Sequence, residues 1–205
     1  MIKISVDKDI RLSNIEFDVR SLDETNNQRE VISGYALKFD KASEDLGFIE
    51  FIDKRALDKT DMTDVVALLN HDDNFVLGRT GRNLKLSVDD VGLYFEIEPT
   101  NTSYARDLIE NMRSGLINKC SFAFTVARNG DEWVENSNGK YERTIKEIDK
   151  LFDVSVVTTP AYSDTEAMLS ERSLNSKNDF EDKLNIEPLK REREIEVLEI
   201  ELDMI

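Results

Sequence analysis

Cysteine and histidine are nearly missing from this chain: each occurs once in 205 residues, as Cys120 and His71. One cysteine excludes an internal disulfide and any Cys-rich zinc site, as expected of a protein made in a reducing cytoplasm. Positive charge is also scarce, with 27 lysines and arginines against 43 aspartates and glutamates, a net charge of -16. This opposes binding to nucleic acid or to an anionic membrane, because phosphate contact requires a basic footprint. No apolar run is long enough to span a bilayer, and residues 1–9 lack the apolar segment of a secretion signal, so neither a membrane partner nor export is expected. Internal repeats are absent too. What is present, 40% hydrophobic and 34% charged residues, suits a soluble domain with a real core plus an appendage.

Hydrophobic alternation predicts strands at 15–19, 31–39, 47–52 and 64–69, with a turn at 23–28 and a short helical piece around 54–59. A hairpin is predicted from 83–88 and 93–98 around Asp89-Asp90-Val91-Gly92. The period then changes. Tyr104, Leu108, Ile109 and Met112 form a helical stripe over 103–113, with Thr102 or Ser103 as cap and Gly115 as stop. That helix runs into a strand at 117–126. A polar hairpin tip at 129–139, an apolar stretch at 144–149, a strand at 151–157 and Pro160 follow. Residues 170–182 read as a polar linker. Pro188 opens a charged helical segment in which Ile195, Leu198, Leu202 and Ile205 make a narrow stripe, too short to be stable alone.

Three polar residues stand out against this background. In the strand at 117–126, Cys120, Phe122, Phe124 and Val126 share one face, so Ser121 falls on the other with Lys119, Ala123 and Thr125 and reads as lying on an open face. A serine there is either a solvated surface residue or a nucleophile, and a nucleophile needs a base. The only histidine, His71, sits in the polar turn Asn70-His71-Asp72-Asp73-Asn74 that closes the strand at 64–69; it is either that base or a loop histidine flanked by acids. On the strand at 151–157, Phe152, Val154 and Val156 share one face, and Asp153 and Ser155 the other. The Gly-x-Ser-x-Gly motif is absent around Ser121, which disfavours a nucleophile elbow. Cys120 falls on the apolar face, where a thiolate is poorly stabilised, and reads as core, as do Phe122 and Phe124. Adjacent acids around His71 have no spaced partner cluster, so no metal and no cofactor are expected.

Several segments taken in order resemble a known family. They are Gly34-Tyr35-Ala36 with Phe39, Glu50-Phe51-Ile52 through Ala56-Leu57, Leu68-Leu69-Asn70-His71-Asp72, and Leu77-Gly78-Arg79-Thr80. Asp89-Asp90-Val91-Gly92-Leu93, the helix ending at Gly115, Cys120-Ser121-Phe122-Ala123-Phe124, and the run from Asp153 to Ala161 complete the set. Together, from about Val31 to about Ala167, they resemble the prohead (capsid maturation) proteases of tailed bacteriophages, serine peptidases related to the herpesvirus assemblins.

The resemblance implies an α+β fold: a mostly β, barrel-like serine protease domain of the assemblin type over 1–170, followed by an acidic linker and charged helical tail over 171–205. It implies an endopeptidase active inside the prohead in the host cytoplasm, which cuts the scaffolding segment from the major capsid protein and digests itself, and it suggests a homodimer. It makes His71 the general base, Ser121 the nucleophile and Asp153 the third member. The herpesvirus relatives use a second histidine in that third place, which this chain lacks, and many phage members carry glutamate where Asp153 stands. A non-enzymatic scaffolding or capsid-interior protein that keeps the protease fold is the alternative.

Overall fold

The computed structural model describes residues 8–14, 18–21, 30–43, 45–158 and 173–184. The turn expected at 23–28, Pro160 and the charged segment from Pro188 onward lie outside the described residues, as does most of the strand expected at 15–19. Contacts divide the chain into two units, Met1–Leu169 and Ser170–Ile205.

Among the described residues, the first unit is built of three sheets. The largest has the order β1-β9-β12-β5-β6, with β1 at Asp9–Asn14, β5 at Val66–Leu69, β6 at Asp72–Arg79, β9 at Lys119–Val126 and β12 at Ile148–Val157. The second pairs β2 (Asp18–Ser21), β3 (Glu30–Lys38), β8 (Gly92–Ile97) and β7 (Leu84–Val88) in that order, and the third pairs β10 (Asp131–Glu135), β11 (Tyr141–Ile145) and β4 (Ile49–Ile52). Neighbouring strands run antiparallel except β12 with β5 and β11 with β4. The barrel-like closure expected from the resemblance is not found among the described residues, where the strands at the ends of each sheet do not pair with one another.

Apolar faces of the sheets and one helix share a single core that includes Ile32, Phe95, Leu108, Phe122, Phe124 and Val154. The helix, α1, spans Ser103–Arg113, buries Ala105, Leu108, Ile109 and Met112, and is capped by Thr102, whose hydroxyl accepts from the Ala105 amide. Gly115, at φ +74, turns the chain out of it into β9, a left-handed conformation that favours glycine. At Gly92 an added Cβ would meet the Leu37 carbonyl oxygen at 2.0 Å, so β3 and β8 approach there only because no side chain intervenes.

The expected helical piece at 54–59 is a series of three-residue turns, with Ala56 N–H on the Asp53 carbonyl and Asp58 N–H on that of Arg55. In the second unit, 173–184 is helical, not the expected linker; we call it α2. It contains neither glycine nor proline, and Lys177 and Glu181 form an ion pair one turn apart at 3.5 Å.

Candidate active site

The order β9-β12-β5 sets the geometry. Asp153 and Ser155 on β12 lie opposite Ala123 and Ser121 on β9 in register, so these four share one face of the sheet. On β12's other flank β5 runs parallel, with Leu69 beside Val156, and ends at the same edge. There the chain reverses into β6 through Asn70 and His71, both in the left-handed region at φ 55 and 56. A two-residue hairpin turn of type I′ has this conformation at both central positions, and asparagine and histidine enter it more readily than most side chains. The turn is pinned to β12: Asn70 N–H donates to the Val156 carbonyl, and its side-chain oxygen accepts from the Thr158 amide. His71 thereby reaches back across β12 towards β9.

The result is one hydrogen-bonded line. His71 Nδ1 lies 2.6 Å from Asp153 Oδ1, and His71 Nε2 lies 2.6 Å from Ser121 Oγ. The structure brings together all three residues singled out in the sequence. It also adds a fourth: the Ser155 hydroxyl donates to Asp153 Oδ1 at 2.8 Å and lies 3.2 Å from His71 Nδ1. Ser155 was visible in the sequence as sharing a face with Asp153, but nothing there gave it a task. Asp72, next to the histidine in sequence, is engaged elsewhere, accepting from the Asn74 amide and side chain.

Two expectations need correction. Ser121 was expected on an open face, but it is 0% exposed, and Ala123, Asp153 and Ser155 are buried with it. Alternation identified the correct side of the strand, but β9 is covered on both faces. Phe152 was expected to share the core face with Val154 and Val156; instead Leu151 joins the core and Phe152 is half-buried, with Lys8 over its ring. The cause is a register shift between Leu151 and Asp153 that leaves Phe152 without a partner on β9. This β-bulge is what puts Asp153 on the side of Ser121.

Cys120 is fully buried on the opposite face, and burial pushes its thiol up to about 12. It is therefore inert at neutral pH. Phe122 and Phe124 stack in the core with ring centroids 5.2 Å apart.

A serine, an imidazole and a carboxylate in one line form the unit by which serine hydrolases activate a hydroxyl for attack on a carbonyl carbon. A family model described as caudovirus prohead serine protease matches residues 15–180, and the chain belongs to that family. No curated protein matches the chain. Among solved structures, the capsid assembly protease of bacteriophage T4, gp21, matches at a TM-score of 0.47 and 15% identity over 74% of this chain and 99% of that one.

Proposed function

We propose that the chain is a serine endopeptidase of phage prohead maturation, acting on the scaffolding segment of the major capsid protein inside the assembling shell and also on itself. The observation that carries this reading is the continuous line Asp153–His71–Ser121, with 2.6 Å at both junctions, in a chain whose family is that of prohead serine proteases. Ser121 Oγ attacks the scissile carbonyl carbon and His71 Nε2 takes its proton. The imidazolium so formed is stabilised by Asp153 and then protonates the leaving amine. Water, activated by the same histidine, releases the acyl group. Ser155 holds the Asp153 carboxylate in place and fixes which oxygen meets the imidazole. A purely scaffolding role would leave this alignment without a purpose.

In this reading residues 1–170 make the peptidase, and 171–205 serve recruitment into the shell and offer accessible sites for self-cleavage. A homodimer fits the same reading, and sedimentation of the purified chain tests it. The deciding experiment is co-expression with the capsid protein of the same phage, followed by intact-mass measurement. The expected result is a shortened capsid protein with the native chain and full-length capsid protein with Ser121→Ala. Processing that persists with Ser121→Ala would sink the proposal.

A further inference from the structure

The nucleophile strand has no free edge. β9 pairs with β12 on one side and with β1 on the other, the latter in antiparallel register from Asp9 opposite Phe124 to Asn14 opposite Lys119, with Leu12 opposite Ser121. Peptides that bind as extended chains do so by adding a strand to a sheet edge, main chain against main chain, with alternate side chains entering pockets. Beside Ser121 that position is taken by β1. The fit extends to the reacting group: Ser121 Oγ donates to the Arg11 carbonyl oxygen at 3.0 Å. The hydroxyl has one hydrogen. Given to Arg11, it is not given to His71 Nε2, so the arrangement blocks entry and leaves attack unprimed.

The Arg11 side chain sits in a built pocket. Its Nε and Nη2 fork onto Glu50 Oε1 and Oε2 at 2.6 and 2.9 Å, and the guanidinium carbon lies 5.6 Å from the centre of the Phe124 ring. Asp9, also on β1, lies 3.3 Å from Nη2. Glu50 does not depend on Arg11 for a partner, because Arg143 Nη1 donates to its Oε2 at 3.0 Å while Arg143 also pairs with Asp131 at 2.8 Å. If β1 withdraws, Glu50 and Asp131 remain around Arg143, two carboxylates to one guanidinium. That residual negative charge suits an incoming cation.

We propose that β1 is a built-in pseudosubstrate: it fills the strand position beside Ser121 that a substrate takes, with Arg11 standing for the residue before the scissile bond and Glu50 recognising a basic side chain there. This rests on the catalytic reading of Ser121 and adds two things to it, a self-blocked state and a substrate class, extended peptides with arginine or lysine before the cut.

The test uses the full-length chain and a fluorophosphonate probe, which labels an activated serine, with the labelled residue mapped by peptide mass. Arg11→Ala removes the fork to Glu50; losing hydrogen bonds to a charged group should raise the labelling rate of Ser121 about tenfold or more. A synthetic peptide copying residues 8–14 should slow it again, and the same peptide with alanine in place of arginine should not. If Arg11→Ala fails to fold, Arg11→Lys is the second variant, because it keeps the buried charge and loses the two-pronged fork. It should raise the labelling rate about fivefold, the change expected for losing one hydrogen bond worth about 1 kcal/mol. Equal rates in the native chain and in a folded Arg11→Ala or Arg11→Lys chain overturn the proposal and leave the catalytic reading standing. No labelling of Ser121 in any form overturns both. Among peptides differing only before the cut, arginine and lysine should be preferred and Glu50→Gln should remove the preference; a native preference for neutral or acidic residues there overturns the role of Glu50.

Discussion

Asp153 has a harder task than its size suggests, because it must accept from both the imidazole and the Ser155 hydroxyl at Oδ1 while buried. Asp153→Asn should fold as the native chain does, by circular dichroism, and lose about 10⁴-fold in kcat on a capsid-derived peptide, since the amide no longer holds the imidazole in the required tautomer. Asp72→Asn, by contrast, should leave kcat near native. Ser155→Ala should lose less, about 10- to 100-fold, the range expected for one hydrogen bond to a charged group worth about 1.5–3 kcal/mol. His71→Ala and Ser121→Ala should each abolish cleavage, and the double variant should be no worse than either alone, because the two fail as one unit. At Cys120 the upward-shifted thiol makes a chemical expectation: iodoacetamide at pH 8 should leave the native chain unmodified and alkylate it fully in denaturant, as mass measurement would record.

Elements differ in how legible they were, and the differences follow what each strand faces. α1 and the β7–β8 hairpin were readable because most of their apolar residues face the core and their polar residues face out, and β3 and β5 because they are largely apolar runs. β1 escaped because its pattern is inverted: Asp9 and Arg11, which alternation assigns to solvent, are buried among Glu50 and Arg143. β6 was missed because most of it is exposed at a sheet edge, and β10 because Trp133 alone among its five residues is buried. The site itself was legible as residues but not as geometry, since the bulge at Phe152 and the left-handed backbone at His71 leave no periodic trace. Just upstream of that bulge, Asp61 pairs with Lys150 at 2.8 Å. The Lys150 hydrogen bond, helped by Thr63, holds the Asp61 carboxyl well below the usual range. A lowered folded pKa stabilises fully above the ordinary value of about 3.9 and loses its effect as pH falls from there towards the folded pKa. Asp61→Asn should therefore lower the urea midpoint at pH 6 but not below the folded pKa, the gap closing as acid is added from about pH 4 downward.

Across the first unit, the buried charges that hold β1 also join the large sheet to the three-stranded one. Burial alone would lower the Arg11 pKa, but Glu50, through charge and hydrogen bond, and then Asp9 outweigh it and raise it. Arg143 is fully buried and contacts carboxylates from three strands, Asp9, Glu50 and Asp131. Arg143→Met should leave those carboxylates without their shared cation and cost about 3–5 kcal/mol in urea unfolding, the range for breaking a buried pair. The central place of β12 has a consequence of a different kind, in the order of synthesis. The strand that fills the middle of the five-stranded sheet lies at 148–157, and the two contacts that complete the line span 50 and 82 residues of sequence. Closing such long loops comes late, after local hairpins and α1 have formed. A nascent chain emerging from the ribosome therefore carries Ser121 and His71 for a considerable time without a sheet to align them. On the proposed catalytic reading, a chain terminated before residue 153 lacks both the acid and the scaffold of the middle strand and should show no cleavage.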